Sequence, residues 1–368
     1  MIQNKNHDLE VLRTIAIAFV FLAHIPGILS PNSFYWKIFD ISRFGSGVDL
    51  FFCVSGFIVT KSLIGKKLHL MDFNSFIGEA KSFYVKRAWR LLPAAFFWIF
   101  ISTLLYIAAN AMAGNNDILK ALKPAFFSLL QVQNIFYMSC RDEGTCGPLG
   151  IYWSLSLENQ FYLLLPLMLF MFSNRKLCFF MFLVFLLQFF IPRTLNEQTP
   201  MAWPIRTDAI ALGVIIAVMS TRENYAKTNP KTLKNGFFSL VFLTVSCFLL
   251  AIFTKPEPVV FFQVGLTAAI SGLMVFVASY NKGYYARNKF IIKTCDYIGS
   301  RSYSLYLTHV LALLVTKGVL MRTGWVDSDL NTGIRLAFFF FLTFAMTEFS
   351  YRMIENKFRY YWKIKDKK

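Results

Sequence analysis

Residues 11–30 read VLRTIAIAFVFLAHIPGILS, an apolar stretch interrupted by two ionisable residues, Arg13 near its start and His24 well inside it. A helix of this length rises about 30 Å, enough to cross the hydrocarbon core of a bilayer. The eleven-residue step from Arg13 to His24 is about 1100° of rotation, so both side chains leave one helix face, about 16 Å apart along the axis. The stretch predicts a membrane-spanning helix with one polar face. Two interpretations of that face are open. It is either a basic helix end with a packed histidine, or a functional pair turned toward protein because charge facing lipid is unfavourable.

The composition of the chain excludes an ordinary soluble domain. Hydrophobic residues make up 56% of the 368 residues and charged residues 16%, whereas soluble domains carry about 25% charged residues. The 42 Phe suit a lipid-facing surface. The six Cys form no CxxC or Cys/His zinc pattern, so we expect no metal site. The chain is therefore predicted to be an all-α, polytopic integral membrane protein.

Ten apolar segments are predicted to cross the membrane. With the N-terminus in the cytoplasm, most Lys and Arg fall in segments on the inside, including the tail from residue 352 onward. This is the positive-inside pattern, and it accounts for the formal net charge of +18 without nucleic acid. We predict a single transmembrane domain over residues 1–368 with both termini cytoplasmic. The predicted spans are residues 11–30, 46–65, 91–113, 150–172, 176–195, 200–219, 237–254, 259–280, 297–321 and 331–353.

Residues 118–138, ILKALKPAFFSLLQVQNIFYM, are apolar but carry several Lys, Pro, Gln and Asn residues. Counting them as a span would invert the topology of everything that follows. We therefore predict a re-entrant or interfacial segment. The next loop then faces the oxidising side of the membrane, where a disulfide between Cys140 and Cys146 is expected to close a small ring.

A basic amphipathic segment, residues 61–93, is predicted at the cytoplasmic interface. Within it, Arg87 and Arg90 stand at i, i+3 and share a helix face. Two interpretations are open. The pair either contacts anionic lipid head groups, or it clamps a phosphate, since guanidinium groups make two-point contacts with phosphate oxygens.

Ionisable residues inside predicted spans are functional candidates. The predicted topology places His24, Asp49, Glu158 and Asp208 in the outer half of the membrane and His309 nearer the midplane. A neutral imidazole with a carboxylate partner is a general base for a hydroxyl that attacks an activated acyl group. Structural ion pairs or a proton pathway are the alternatives. Glu158 is the strongest carboxylate candidate, because serines and aromatic residues surround it in sequence. The candidate substrate-binding residues are Trp153, Ser154, Tyr162, Arg206, Asp208 and His309.

Several stretches resemble the membrane-bound acyltransferase-3 family and follow the family's order from about residue 9 to 310. They are LRTIAIAFVFLAH, GVDLFFCVSGFIVTKSL, FYVKRAWRLLP, WSLSLENQFYLLLPL, RTDAIALG and YIGSRSYSLYLTH. The resemblance implies a multi-pass enzyme of the bacterial inner membrane. Such an enzyme moves an acyl group, most often acetyl, from cytoplasmic acyl-CoA to an extracytoplasmic sugar.

Applied to this sequence, the resemblance implies that His24 is the catalytic imidazole and that Glu158 and Asp49 are catalytic carboxylates. The donor-binding residues it implies are Arg87 and Arg90, and we expect Arg13 to join them on a basic cytoplasmic face that holds the nucleotide phosphates of the donor. The sequence departs from the family pattern at Asn159, where a second Glu is commoner. Because the chain ends at Lys368, we also expect no extracytoplasmic SGNH-type domain.

The expected function is O-acetyl transfer from acetyl-CoA to a hydroxyl of an extracytoplasmic sugar such as lipopolysaccharide O-antigen. A glycolipid, a periplasmic glucan, peptidoglycan and a small metabolite are the other acceptors left open. The expected partners are acyl-CoA inside, a glycan or glycolipid outside, and membrane lipid, with neither nucleic acid nor metal. A transporter or flippase for a lipid-linked sugar is the alternative from a different class. It often has pseudo-symmetric halves, and the sequence contains no such repeat.

Overall fold

The computed structural model describes residues 5–30, 33–112, 114, 117–191, 193, 205–255, 259–322 and 329–365. Helices dominate these residues, and no strand occurs among them. The predicted all-α class is confirmed for this part of the chain.

The helices follow one another with short connections. They are α1 (His7–His24), α2 (Trp36–Ile41), α3 (Gly47–Ile64), α4 (Phe73–Met112), α5 (Leu119–Leu129), α6 (Gln133–Asp142), α7 (Tyr152–Met171), α8 (Asn174–Phe189), α9 (Asp208–Met219), α10 (Gly236–Ile252), α11 (Gln263–Ser279), α12 (Lys289–Arg322), α13 (Asp329–Phe349) and α14 (Asn356–Lys365). Short 3-10 turns lie at Ile25–Ile28, Leu68–Leu70, Gly147–Leu149, Glu223–Thr228 and Lys231–Lys234. A π-helical turn, Ser350–Glu355, joins α13 to α14.

Four helical stretches of the described residues are long and apolar enough to cross a bilayer. They are His7–Ile28, Gly47–Leu70, Phe73–Met112 and Thr332–Tyr361. Each predicted span overlaps a helix of the structure, although residues 113, 192, 194–195 and 200–204 of three predicted spans lie outside the described residues. The total of ten spans and the cytoplasmic location of the termini stay predictions.

Helix α4 differs from the expectation of a separate interfacial segment followed by a span. Its 40 residues run without a break from the basic segment into the apolar one. Pro93 lies inside this helix and removes one backbone donor there. Proline is tolerated inside membrane helices because neighbouring groups satisfy the freed carbonyl. Arg87 and Arg90 therefore lie on the helix that continues into the apolar segment.

The segment predicted to be re-entrant or interfacial forms two short helices. Helix α5 has 11 residues and α6 has 10, both shorter than the roughly 20 residues that a membrane-crossing helix needs. The bend between them passes through Gln131, whose φ is 58°. The location of this segment in the membrane stays a prediction.

The described chain divides into two compact units. The first unit takes in residues 1–23, 37–72 and 164–302. The second takes in residues 24–36, 73–163 and 303–368. Helices α1, α7 and α12 each contribute residues to both.

In the first unit, α3 and α9 pack at the closest separation that their backbones allow. A Cβ atom on Gly213 of α9 would lie 2.7 Å from the amide nitrogen of Phe57 and closer still to the carbonyl oxygen of Cys53. A Cβ on Gly56 of α3 would collide with the backbone of Ile210 in the same way. Small residues at a helix crossing are typical of membrane proteins, where close backbone packing stabilises helix association.

The start of α1 is fixed by one buried carboxylate in this unit. Asp8 accepts hydrogen bonds from the backbone N–H groups of Gly283, Tyr284, Tyr285 and Ala286, at 2.8 to 3.1 Å. These donors lie in the connection between α11 and α12. A fully buried charge in apolar surroundings requires such donors.

In the second unit, polar side chains join α4 to its neighbours. The Tyr152 hydroxyl of α7 donates to the carbonyl of Ala95 at 3.3 Å. The Trp98 indole N–H donates to the Ser350 hydroxyl at 3.0 Å, which connects α4 to the π-helical turn. Both hydrogen bonds are buried and join uncharged groups, so they fix the packing of these helices without an ion pair.

Each unit exposes large apolar side chains. Leu187 of α8 is 71% exposed and Phe341 of α13 is 70% exposed, and similar residues occur along α4 and α10. Apolar surface of this extent is unfavourable in water and matches contact with lipid. The structure thus supports the membrane character predicted from composition.

We predict that Gly213→Ala destabilises the protein, because the added methyl group overpacks the α3–α9 crossing by about 1–3 kcal/mol. The midpoint of thermal unfolding in detergent should fall by several degrees. Gly78→Ala is the matched control, since a Cβ on Gly78 meets nothing within 4 Å. Equal unfolding midpoints for the two variants would show that α3 and α9 pack less closely at Gly213 than the structure indicates.

Candidate active site

Two histidines of the second unit form an aromatic pair. His24 is the last residue of α1, and His309 is a fully buried residue of α12. Their ring centroids are 4.8 Å apart and their planes meet at 76°, an edge-to-face arrangement. The predicted catalytic imidazole is therefore next to a residue predicted only to bind substrate.

The tautomer of His309 follows from its neighbour on α12. Its Nδ1 atom lies 2.7 Å from the backbone carbonyl oxygen of Tyr306. A carbonyl oxygen only accepts hydrogen bonds, so Nδ1 carries the hydrogen and donates it. In the neutral ring, Nε2 then carries the lone pair.

The chain following His24 explains why the ring lies at this point. Pro26 stands at the start of the 3-10 turn Ile25–Ile28 and cannot continue α1, so His24 becomes the helix end. Gly27 packs this turn against α12, because a Cβ there would lie 3.2 Å from the Leu313 side chain. Leu313 follows His309 by one helical turn, on the same face.

Tyr306 connects this histidine pair to the start of α7. Its hydroxyl lies 2.6 Å from the hydroxyl of Ser154, and each lies 3.2 Å from the carbonyl oxygen of Ile151. Ser154 was predicted to bind substrate. The structure shows that it holds Tyr306, and through it α12, in place.

A second cluster joins three residues that the sequence assigned to different roles. The Tyr162 hydroxyl donates to the carboxylate of Glu158, one turn earlier on α7. The Arg87 guanidinium lies 5.0 Å from the centroid of the Tyr162 ring and 5.6 Å from that of Phe83, at cation–π distance. The charge of Glu158 also reaches the hydroxyl of Tyr306. Tyr162 therefore connects Glu158 to Arg87 of α4, and the charge of Glu158 acts on Tyr306 of α12.

Arg90 has an incomplete hydrogen-bond complement within the described residues. Its buried Nε atom has no hydrogen-bond partner among them. The neighbouring Leu91 carbonyl accepts a hydrogen bond from Tyr303 of α12 at 2.7 Å. An unsatisfied buried guanidinium N–H suits an anionic ligand such as a phosphate.

A family model described as an acyltransferase domain matches residues 6–351. The chain belongs to the acyltransferase-3 family. It is 25% identical over 371 residues to the peptidoglycan O-acetyltransferase OatA of Listeria monocytogenes, across 96% of this chain and 55% of OatA. It is 26% identical over 375 residues to SACOL0978 of Staphylococcus aureus, provisionally named an O-acetyltransferase, across 95% of this chain and 57% of that protein.

A third relative is YrhL of Bacillus subtilis, provisionally named a peptidoglycan O-acetyltransferase. The identity is 26% over 296 residues, which cover 74% of this chain and 45% of YrhL. The chain thus spans about half the length of the curated relatives it matches. No solved structure matches it.

Asn159, where this member of the acyltransferase-3 family departs from the common pattern, helps to pack α7. Its side-chain N–H donates to the Gln131 amide oxygen at 2.6 Å, in the bend between α5 and α6. Gln160 donates to the backbone carbonyl of Gln131 at 2.9 Å and to the Asn134 side chain at 2.8 Å. These uncharged amides join the bend to the helix that carries Glu158.

Trp153 lies at the start of α7, and its ring centroid is 5.9 Å from that of Tyr137 on α6. The predicted pair Cys140 and Cys146 forms a disulfide at the end of α6. The disulfide closes the loop that leads back to α7. Its place next to Tyr137 indicates a role in shaping this part of the second unit.

Arg13 and the remaining predicted residues lie in the first unit. The Arg13 guanidinium bonds to the Glu10 carboxylate at 3.2 Å and donates to the Ser302 hydroxyl at 2.8 Å. Its charge is therefore already balanced on α1. Its predicted role in donor binding stays a prediction.

Asp49 and Asp208 each form a buried ion pair. Arg206 contacts Asp49 at 2.6 Å, and Arg193 contacts Asp208 at 2.6 Å. Arg206 thus pairs with a residue of α3 and not with its neighbour Asp208 in sequence. Structural ion pairs were one of the open interpretations, and the geometry favours them. The catalytic role of Asp49 and the substrate-binding roles of Arg206 and Asp208 stay predictions.

Glu355 is a candidate that the sequence analysis missed. It is 2% exposed, in the π-helical turn, and accepts a hydrogen bond from Ser304 of α12 at 3.0 Å. Ser304 lies 3.1 Å from Ser350, which receives the Trp98 indole. Turns of π-helix occur often at functional sites. The only signal in the sequence is one Glu at the start of a basic tail, which reads as a solvated residue.

We predict that Arg206→Met lowers the free energy of unfolding by about 3–5 kcal/mol, because it leaves the Asp49 carboxylate buried without its cation. The double variant Asp49→Leu with Arg206→Met should recover much of this loss, since neither charge remains. Thermal unfolding of the purified variants measures both effects. A double variant less stable than Arg206→Met alone would contradict the assignment as a structural pair.

Proposed function

We propose that this acyltransferase-3 protein transfers an acetyl group from acetyl-CoA to a hydroxyl of an extracytoplasmic glycan. The observation that carries the proposal is the position of His24 in one compact unit with Glu158, Arg87 and Arg90. The family match and the names of the relatives support acyl transfer. The proposal retains ten spans, cytoplasmic termini and a bacterial inner-membrane location.

Arg87 and Arg90 are the proposed contacts for the phosphates of the donor. Arg90 presents a buried N–H that the described residues do not satisfy. The rings of Phe83 and Tyr162 hold the plane of the Arg87 guanidinium. A diphosphate fits two guanidinium groups one helical turn apart. The thioester of the donor is then proposed to extend along the polar face of α12 toward His24.

His24 is the proposed general base. The acceptor hydroxyl attacks the thioester carbonyl carbon while its proton passes to the His24 imidazole. When the tetrahedral species collapses, the carbon–sulfur bond breaks and the imidazolium returns that proton to the departing thiolate. The products are the acetyl ester and the CoA thiol, and the imidazole is neutral again. Proximity of the two substrates supplies much of the rate in such reactions.

The position of His24 at the C-terminal end of α1 suits this cycle. The carbonyl groups at a helix C-terminus carry partial negative charge. A positive charge on the imidazole is stabilised there during attack. His24 is the basic residue in the last turn of α1.

The acceptor is proposed to be a cell-envelope polysaccharide. The sequence favoured lipopolysaccharide O-antigen, whereas two of the relatives are named for peptidoglycan. Comparing O-acetyl groups by mass spectrometry in both polymers, from cells with and without the gene, separates these candidates. If neither polymer changes, the polysaccharide assignment fails while acyl transfer remains to be measured on the purified protein.

We predict that His24→Ala lowers kcat by about 10²- to 10⁴-fold, the usual contribution of a positioned general base. Transfer of labelled acetyl from acetyl-CoA by the purified protein in lipid nanodiscs measures it. The thermal unfolding midpoint must match that of the wild type for the result to count. Undiminished transfer would exclude His24 as the base, and a wild type without transfer above background would favour the transporter alternative.

We also predict that Arg90→Ala raises the KM for acetyl-CoA by about 10- to 100-fold, as expected for the loss of a hydrogen bond to a charged group. Lys86→Ala is the matched control, because Lys86 is an exposed cation in the same basic segment. If both variants raise KM equally, the effect is general attraction to the basic surface. A phosphate contact at Arg90 requires a clear difference between them.

A further inference from the structure

His309 is an ionisable neighbour of the proposed base. It is fully buried, and its ring meets His24 edge to face. The charge of His24 reaches His309. The His309 ring also interacts with the backbone carbonyl groups of Leu305 and Tyr306. Two imidazoles thus share one site.

Ionisable groups of α12 and α7 lie near the pair. Tyr306 precedes His309 by one turn of α12 and is bonded to Ser154. The charge of Glu158 on α7 acts on the Tyr306 hydroxyl. On the α13 side, α12 meets its neighbour through two neutral hydroxyls, Thr308 and Thr347, at 3.0 Å.

The pair is suited to hold one positive charge and not two. In an edge-to-face pair, the positive edge of one ring meets the electron-rich face of the other. A proton gained by one imidazole strengthens that contact, as a cation does over an aromatic face. Protons on both rings would place like charges within about 5 Å in a medium of low polarity.

The two rings are not equivalent as places for that charge. His309 is completely buried, and its Nδ1–H is already committed to the Tyr306 carbonyl. His24 is less buried and stands at the C-terminal end of α1, where positive charge is favourable. The proton therefore belongs on His24, and His309 remains neutral.

We infer that His309 is a positioning residue for His24. It fixes the plane of the His24 ring and itself stays neutral, so that the proton taken from a hydroxyl acceptor is carried by His24 and not by His309. The kinetic consequences rest on the proposed function, whereas the protonation states do not. His309 was predicted to bind substrate, and this inference assigns it a different task.

The protonation states are tested by NMR on protein labelled with ¹⁵N-histidine. The chain has four histidines, so single substitutions assign every signal. Between pH 5 and pH 8, we expect His309 to keep a protonated Nδ1 and an unprotonated Nε2. A His309 ring that becomes doubly protonated together with His24 would overturn the inference, whatever the enzyme does.

The kinetic test separates the ring from its hydrogen bond. His309→Phe keeps a ring for the edge-to-face contact, His309→Gln keeps a donor without a ring, and His309→Ala keeps neither. We expect kcat to fall by about 10-fold or more in the Gln and Ala variants and by clearly less in the Phe variant, with the KM for acetyl-CoA unchanged in all three. The matched control is Thr316→Val, which removes another buried bond from a side chain to the α12 backbone, the 2.7 Å bond to Ala312.

Two results would overturn the positioning role. The first is a similar fall of kcat in the Phe, Gln and Ala variants, since it would show that the ring contact does not matter. The second is a rise of KM in place of the fall in kcat, which would return His309 to substrate binding. Absence of acetyl transfer by the wild type refutes the proposed function instead, and the NMR measurement still decides the protonation states.

Discussion

Charge inside an apolar layer has to be neutralised or enclosed by protein, and this requirement organises the whole structure. In the first unit, buried carboxylates are stabilised by partners that the chain supplies. Asp8 accepts hydrogen bonds from backbone N–H groups, and Asp49 is paired with Arg206. In the second unit, two imidazoles meet edge to face, and the Glu158 carboxylate accepts a hydrogen bond from Tyr162. The first arrangement stabilises helix packing. The second arrangement brings together residue types that acid–base chemistry uses.

The extent of the helices was largely predictable from the sequence, because length and apolarity dictate it. The predicted spans 46–65 and 237–254 agree with Gly47–Ile64 and Gly236–Ile252 to within a few residues. The continuity of α4 was not predictable, since charges followed by Pro93 are also the usual signature of a helix boundary. Only neighbouring helices, which supply partners such as Ser350 for Trp98, show that the helix continues.

The candidate site was predictable only where residue type reveals chemistry. An imidazole inside an apolar segment and a pair of guanidinium groups in a basic segment stand out, so His24 and Arg90 were predicted as candidates. The pairing of Arg206 with Asp49 was not, because 157 residues separate them and the adjacent Asp208 is the simpler partner in sequence. Tyr306 was missed for a related reason: a tyrosine in a membrane helix usually indicates packing or an interface, and its role follows only from its contacts.

Helix α12 connects the two parts of the proposed site in the second unit, the arginines of α4 and the imidazole of His24. Tyr303 bonds to the α4 backbone beside Arg90, Tyr306 bonds to Ser154 at the start of α7, and His309 meets His24. From Tyr303 to His309 the helix rises about 9 Å. The separation between the arginines proposed to bind phosphate and the proposed base is thus set by a helix and not by a loop. Helices hold such distances more reproducibly than loops do, and transfer between two bound substrates depends on that distance. A residue of α12 can therefore influence the chemistry without touching either substrate. His309 does so through its direct ring contact with His24, the proposed base.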